Sequence, residues 1–339
     1  MGKKIMKMTV VSLCLFLLIG FSVFAEGKQE SGATDKPITL KLGHVAPETE
    51  PYHLAAVRFS ELVEDRTDGM VKIEIFPNSQ LGAQRDTIEG LQMGTVDMVL
   101  TTAAVLANFV PPSQVIELPF MFRDRDHVYS VVDGPLKEKI YKGAEDQQLK
   151  IISTWENGFR NITNDVRAIH TPADMEGIKI RVMENQMYID MFKALGANPT
   201  PMARSELFTA LQQGTVDAQE NPMGQIYSSR FYEVQDYVTL SGHTYSPEVL
   251  VFSLKNWNEI PAEYQAVIQE AADEARDYCR EMKIEKDKEF IEGVKQEGME
   301  VTELTPDQVA MFQAKMKPVW EKYYDVIGED LIQSVYNYK

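Results

Sequence analysis

Gly177-Ile178-Lys179-Ile180-Arg181-Val182-Met183 sets Ile178, Ile180 and Val182 in alternation with Lys179, Arg181 and Met183. Residues two apart share one face of a strand, so this spacing predicts a β-strand. Its apolar face packs into a sheet, while the other face carries the Arg181 guanidinium, a planar fork of five donors that matches a carboxylate. Further along, Leu211-Gln212-Gln213-Gly214-Thr215-Val216-Asp217-Ala218-Gln219-Glu220-Asn221-Pro222 reads as a helix end stopped by Gly214, a short strand, and an amide before a proline. The two strands are expected to bring polar groups to one cleft.

Part of the second stretch occurs twice. Leu91-Gln92-Met93-Gly94-Thr95-Val96-Asp97 and Leu211-Gln212-Gln213-Gly214-Thr215-Val216-Asp217 agree at six of seven positions, 120 residues apart. Each follows a helical stretch, and in each a glycine stands where a helix closes, a place where positive φ costs glycine little. The repeat predicts two similar α/β lobes, each delivering a strand end to a shared cleft. So long an offset excludes a solenoid.

The remaining segments fit that order. Ile38 to His44 alternates as a strand, Leu54, Val57, Phe59, Leu62 and Val63 recur at helical spacing, and Val71 to Phe76 alternates again. Strand, helix, strand in this order predicts an α/β layer arrangement. Lys150 to Trp155 reads as a strand ending at Glu156-Asn157-Gly158-Phe159-Arg160, and Val249 to Ser253 as a second apolar strand. These two are expected to cross between the lobes as a hinge. After Ile260-Pro261, helices rich in Glu, Lys and Ala run to about Gly293, and Thr305-Pro306-Asp307 caps a last helix. The boundaries expected are residues 37–160 with about 247–290 for the first lobe, 161–246 for the second, and 291–339 for C-terminal helices packed on both.

Composition narrows the function. The chain has 339 residues, 44% of them hydrophobic, enough for a sizeable core. Lys and Arg total 34 against 51 Asp and Glu, a net charge of −17, which argues against a nucleic-acid partner or a polybasic membrane patch. Lys3, Lys4 and Lys7 ahead of the apolar run Met8 to Phe24 read as an export signal over residues 1–25, cut after Ala25, with a flexible spacer over 26–36. An uncleaved anchor is the other reading of that run. Cys14 would leave with the leader, so Cys279 stands alone and no disulfide is expected.

Catalytic signatures are missing. No two glycines stand two residues apart, as a dinucleotide fingerprint requires, and there is no P-loop, His-Glu-x-x-His or Gly-x-Ser-x-Gly. The five histidines show no ligand spacing, so neither a metal nor a cofactor is expected.

Several strings together carry a resemblance. Phe76-Pro77-Asn78-Ser79-Gln80-Leu81-Gly82, Glu117-Leu118-Pro119-Phe120, Asn157-Gly158-Phe159-Arg160-Asn161-Ile162-Thr163, Leu195-Gly196-Ala197-Asn198-Pro199-Thr200-Pro201-Met202 and Val216 to Pro222 occur in order over nearly the whole chain after the leader. The sequence resembles the DctP-type solute-binding proteins of tripartite ATP-independent periplasmic (TRAP) transporters. That resemblance implies a periplasmic-binding-protein-like fold, two α/β lobes joined by hinge strands and a long helix. It further implies a periplasmic receptor that closes on a small organic anion and passes it to the small and large membrane subunits of a symporter.

The resemblance also assigns residues. Arg181 matches the arginine that binds the ligand carboxylate, Arg160 a second pocket arginine, and Asn221 a pocket amide; Asn221 before Pro222 also reads as a helix N-cap. Gln84, Thr102, Glu184 and Arg204 fall where relatives that bind sialic acid line their pocket. Here Thr102 replaces an acid, Glu184 an amide and Arg204 an aromatic, which disfavours sialic acid. His44, Trp155 and His243 are further wall candidates. Gln84 and Glu184 offer mixed donors and acceptors, which favours a sugar acid such as a uronate, or another hydroxylated monocarboxylate, over a C4-dicarboxylate. The alternative is a secreted enzyme acting on sugar acids on a similar scaffold, since fold does not fix function.

Overall fold

The computed structural model describes residues 36–339; the leader, its cleavage after Ala25 and the spacer as far as Asp35 lie outside the described residues. The strands are β1 (Ile38–Gly43), β2 (Val71–Phe76), β3 (Met98–Thr102), β4 (Leu149–Asn164), β5 (Lys179–Val182), β6 (Asn198–Pro201), β7 (Ala218–Pro222), β8 (Tyr237–Leu240), β9 (Tyr245–Ser253) and β10 (Glu300–Glu303). They run in the order β2-β1-β3-β9-β4-β7-β5-β6, with β8 paired to β4 and β10 to β8. β1 and β2 are parallel, joined by the helix Pro51–Arg66, which buries Tyr52, Ala55, Ala56, Phe59, Leu62 and Val63. That spacing is one apolar helical stripe, and it is laid on the sheet.

β4 links two α/β lobes. Its residues Leu149 to Phe159 pair antiparallel with β9, next to β3 and β1, whereas Arg160 to Asn164 pair with β7. The sequence predicts a strand ending at Glu156 to Arg160, but β4 runs on to Asn164. Gly158 makes this possible: at φ 125° it permits a bulge, and the register slips by one residue between Trp155 opposite Glu248 and Gly158 opposite Ser246. The second expected crossing, Val249 to Ser253, is corrected likewise. β9 lies wholly between β3 and β4, and the chain returns through Ser241 to Thr244, where Thr244 O accepts the Arg160 N–H at 2.8 Å.

The repeated heptad has the same structure twice. Gly94 (φ 75°) ends the helix Gln84–Met93 ahead of β3, and Gly214 (φ 65°) follows the helix Leu207–Gln212 ahead of β7. Thr95 N donates to Gly90 O at 2.9 Å and Thr215 N to Ala210 O at 3.0 Å. Asp97 Oδ2 accepts the N–H of Lys41 in β1 at 2.8 Å, and Asp217 Oδ2 that of Lys179 in β5 at 3.0 Å. Each aspartate thus ties the end of its helix to the neighbouring parallel strand.

One helix of 35 residues, Ala262–Gln296, lies along both lobes, packing on Pro51–Arg66, β4 and the helix Met223–Ser228. The boundary expected near residue 290 falls inside it. Thr305 caps Pro306–Lys322 through a reciprocal pair with Gln308, and two short helices, Tyr324–Ile327 and Glu329–Tyr336, follow the one expected to be last. Among the described residues, no helix is long and apolar enough to cross a membrane.

Candidate ligand-binding site

A narrow cavity lies between the lobes, and six of the residues singled out above line it: Gln84, Thr102, Arg160, Arg181, Arg204 and Asn221. A larger hollow, around Lys137, Glu145 and Lys150, is shallow and walled by side chains of one lobe. There Lys150 already pairs with Glu145 at 2.7 Å.

β5 buries Ile180 and Val182 in the core and turns Arg181 into the cavity, as its alternation predicts. Arg181 as a whole is only 3% exposed. Its Nε and Nη2 donate to Met202 O at 2.9 and 2.7 Å, which leaves the Nη1 side for a ligand. Burial pulls its pKa down to about 9, helped by Arg204 and Arg160 and opposed by Glu220. A cation in this state is short of negative charge.

Arg160 sits just past the Gly158 bulge. Its Nε pairs with Glu220 Oε2, and its Nη2 reaches Glu220 O at 2.6 Å, Glu220 Oε1 at 2.9 Å and Asn221 Oδ1 at 3.1 Å. Against the cost of burial, Arg160 and then His243 hold the Glu220 carboxyl below the usual range. Asn221 lies within β7, and Pro222 is the residue that precedes the helix Met223–Ser228, so the N-cap reading is replaced by a strand position that aims the amide at Arg160. Arg204 donates Nη2 to Ser229 Oγ and stacks 4.9 Å over the Phe231 ring; its Nε meets no acceptor among the described residues. Burial lowers its pKa. Thr102 Oγ1 donates to Gln84 Oε1 at 3.0 Å on the facing wall.

Four candidates are placed elsewhere. Glu184 offers its backbone carbonyl to Asn108 Nδ2 at 2.8 Å, and its side chain neither lines the cavity nor pairs with Arg204. His44 binds His53 ring to ring at 3.0 Å, and burial, then His53, pull its pKa down to about 3. Trp155 turns its ring into the core, edge to face with Phe59 at 6.1 Å, because that is where its apolar area is covered. His243 stands behind the wall, 2.8 Å from Ser241 Oγ and 3.3 Å from Glu220 Oε2, steadying the partner of Arg160. Burial lowers its pKa.

The cavity also uses residues not foreseen: Tyr52, Asn157, Gln225 and Glu248. Asn157 belongs to the string quoted with Arg160, and Glu248 stands one residue ahead of the apolar run of β9. Neither had a signal of its own, since a bulge breaks the alternation that tells which face a side chain takes.

Comparison with known proteins gives one answer. Residues 42–326 match the family described as bacterial extracellular solute-binding protein, family 7, or DctP. The 2,3-diketo-L-gulonate-binding periplasmic protein YiaO of Escherichia coli K12 is 34% identical over 97% of this chain and 99% of its own. A TRAP periplasmic solute-binding protein of Polaromonas sp. JS666, solved with D-erythronate, is 37% identical and superposes with a TM-score of 0.85 over 88% of this chain and 98% of that one. Another, from Sulfurospirillum deleyianum with bound succinate, is 32% identical, with a TM-score of 0.86 over 90% and 100%. Family and fold agree over most of the described chain, and the chain belongs to the DctP-type periplasmic solute-binding proteins of TRAP transporters.

Proposed function

We propose that this chain is a receptor that encloses a small organic acid between its lobes, its carboxylate held by Arg181 and Arg160. The observation that carries this is a charge imbalance. Three guanidiniums, Arg160, Arg181 and Arg204, converge on one cavity, and among the described residues only Arg160 is paired with a carboxylate. Closing the lobes over unpaired cations costs free energy, which an anion returns through charge-assisted hydrogen bonds. Ligand therefore favours the closed form, which is what a receptor needs to signal occupancy. Micromolar binding requires about 8 kcal/mol, within reach of a few such contacts.

Relatives support the class of ligand, with D-erythronate, succinate and 2,3-diketo-L-gulonate each bound by a similar protein. Export with cleavage after Ala25, delivery to the small and large membrane subunits, lobe boundaries near residues 160 and 246, and the absence of catalysis are parts of the same proposal. Relatives that are receptors rather than enzymes support the last of these. The test is a thermal-shift screen against sugar acids and C4-dicarboxylates, with turnover followed on any hit. A ligand at a hundred times its dissociation constant adds about 2.7 kcal/mol of stability. A stabilising acid that stays unconverted supports the receptor; no stabilisation by any acid, or conversion of one, contradicts it.

A further inference from the structure

Beside its guanidiniums the cavity has a second pole, made of oxygen. Glu248 lies in β9 and is 1% exposed. Asn157, on the bulge of β4, donates Nδ2 to Glu248 Oε1 at 3.1 Å. With its Nδ2 turned to Glu248, the amide has its Oδ1 turned away from it. Among the described residues neither Asn157 Oδ1 nor Glu248 Oε2 meets a donor, and Gln225, whose Nε2 donates to Tyr52 Oη at 3.1 Å, leaves its Oε1 equally bare. Trp155, opposite Glu248 in register, does not donate to it. Buried acceptors without donors are rare in folded proteins, and here three from separate elements line one ligand cavity.

The two poles are distinct. Arg181 is on β5 and Glu248 on β9, separated in the sheet by β4 and β7. The strongest charges on Arg181 are Glu220, Arg204, Arg160 and Glu184, and those on Glu248 are Arg160, Lys283, Glu50 and Glu117, so Arg160, on β4, acts on both.

We propose that Glu248, oriented with Asn157, is a specificity-determining residue that takes a hydroxyl of a polyhydroxy monocarboxylate at the end of the cavity away from Arg181, and discriminates against a second carboxylate there. The inference rests on the reading of the cavity as an organic-acid site and narrows it. A hydroxyl accepts from a protonated Glu248 or donates to an ionised one, so it fits in either state. A second carboxylate brings acceptors alone, so it fits only if Glu248 holds a proton to donate. Discrimination against a dicarboxylate therefore grows as Glu248 ionises. Burial pushes its carboxyl up to about 8, with Arg160 and Lys283 pulling down and Glu50 and Glu117 pushing up, so the change falls in a convenient range. Titration of Arg181 affects both kinds of ligand and cancels in their ratio.

D-Erythronate and succinate, both four-carbon acids, are the probes. Calorimetric titration of each into native protein and Glu248→Gln, at pH 7 and pH 9, measures the ratio of their dissociation constants. In native protein the preference for erythronate should grow by about tenfold between the two pH values, and in Glu248→Gln it should stay constant, with succinate gaining relative to native. If Glu248→Gln fails to fold, the native pH series decides. A native ratio indifferent to pH, the same change in Glu248→Gln, or succinate the tighter ligand of native protein at pH 9 overturns the proposal while leaving an organic-acid receptor intact. Binding of neither acid at either pH overturns this proposal; failure of the wider acid screen is what overturns the receptor reading.

Discussion

The ammonium of Lys283 is paired with the carboxylate of Glu50, and both side chains are buried. Glu50 precedes the helix Pro51–Arg66, and its second oxygen accepts Ser228 Oγ–H at 2.8 Å, while Lys283 comes from the long helix. Three elements meet at one ion pair, and Gly224 lets them: a Cβ there would stand 2.7 Å from Lys283 Nζ. Removing one partner of a buried pair strands the other, so Lys283→Met should cost about 3–5 kcal/mol, and Lys283→Met with Glu50→Gln much less. Urea denaturation of the single and double variants measures it; equal losses in both mean that the pair does not act as a unit.

Gly158 governs the shape of β4. Its φ of 125° is one that other residues adopt only under strain, and an added Cβ would stand 3.4 Å from Pro222 Cβ. Gly158→Ala should lower stability by about 1–3 kcal/mol and weaken ligand binding together, because Asn157 and Arg160 flank the bulge. Denaturation paired with calorimetry checks both, and a variant with native stability and affinity means the bulge tolerates a side chain.

How much of this was legible in the sequence follows from local rules. Ile178, Ile180 and Val182 announce β5 because a half-buried strand needs that alternation, and the two heptads ending at Asp97 and Asp217 announce the paired lobes because the same cap and turn serve both. The length of β4 was hidden, since Glu156-Asn157-Gly158 has the composition of a turn and only pairing with β9 and β7 makes it a strand. For the same reason Asn157 and Glu248 went unseen. That Arg181 lies at a cleft was expected, but not that the Met202 carbonyl, 21 residues away, would hold it buried there.

Two buried acids give the ligand-free protein an unusual pH response. Burial pushes Glu117 up to about 7 despite the hydroxyls of Tyr188 and Ser246, and Glu248 up to about 8. Above the unfolded carboxyl range the native state then holds protons that the unfolded chain has lost, so stability falls as pH rises towards these values and levels off beyond them. The histidines with lowered pKa act below about 6.5, in the opposite sense, which leaves pH 7 to 8.5 as the window. At the lower end of that window Glu248 contributes about 1.2 kcal/mol per pH unit and Glu117, already half ionised, about 0.7, both declining as pH rises. Melting temperatures across the window should fall, and less so in Glu248→Gln; a flat or rising profile contradicts the assignment.

Closure is the motion the geometry requires. The cavity walls come from both lobes, with Tyr52 and Gln225 in contact across it at 3.1 Å. Small-angle scattering should give a smaller radius of gyration with ligand than without, by rotation about the junction in β4. Superimposable profiles mean that ligand enters a site already closed.

Arg181 decides the matter most directly. Its fork binds the Met202 carbonyl on one side and faces the cavity on the other, which a lysine ammonium cannot reproduce. Calorimetric titration of the best acid from the screen into native protein and Arg181→Lys is the measurement. A loss of about a hundredfold or more in affinity, with the fold intact, is the expected result; equal affinities would show that the carboxylate is bound elsewhere.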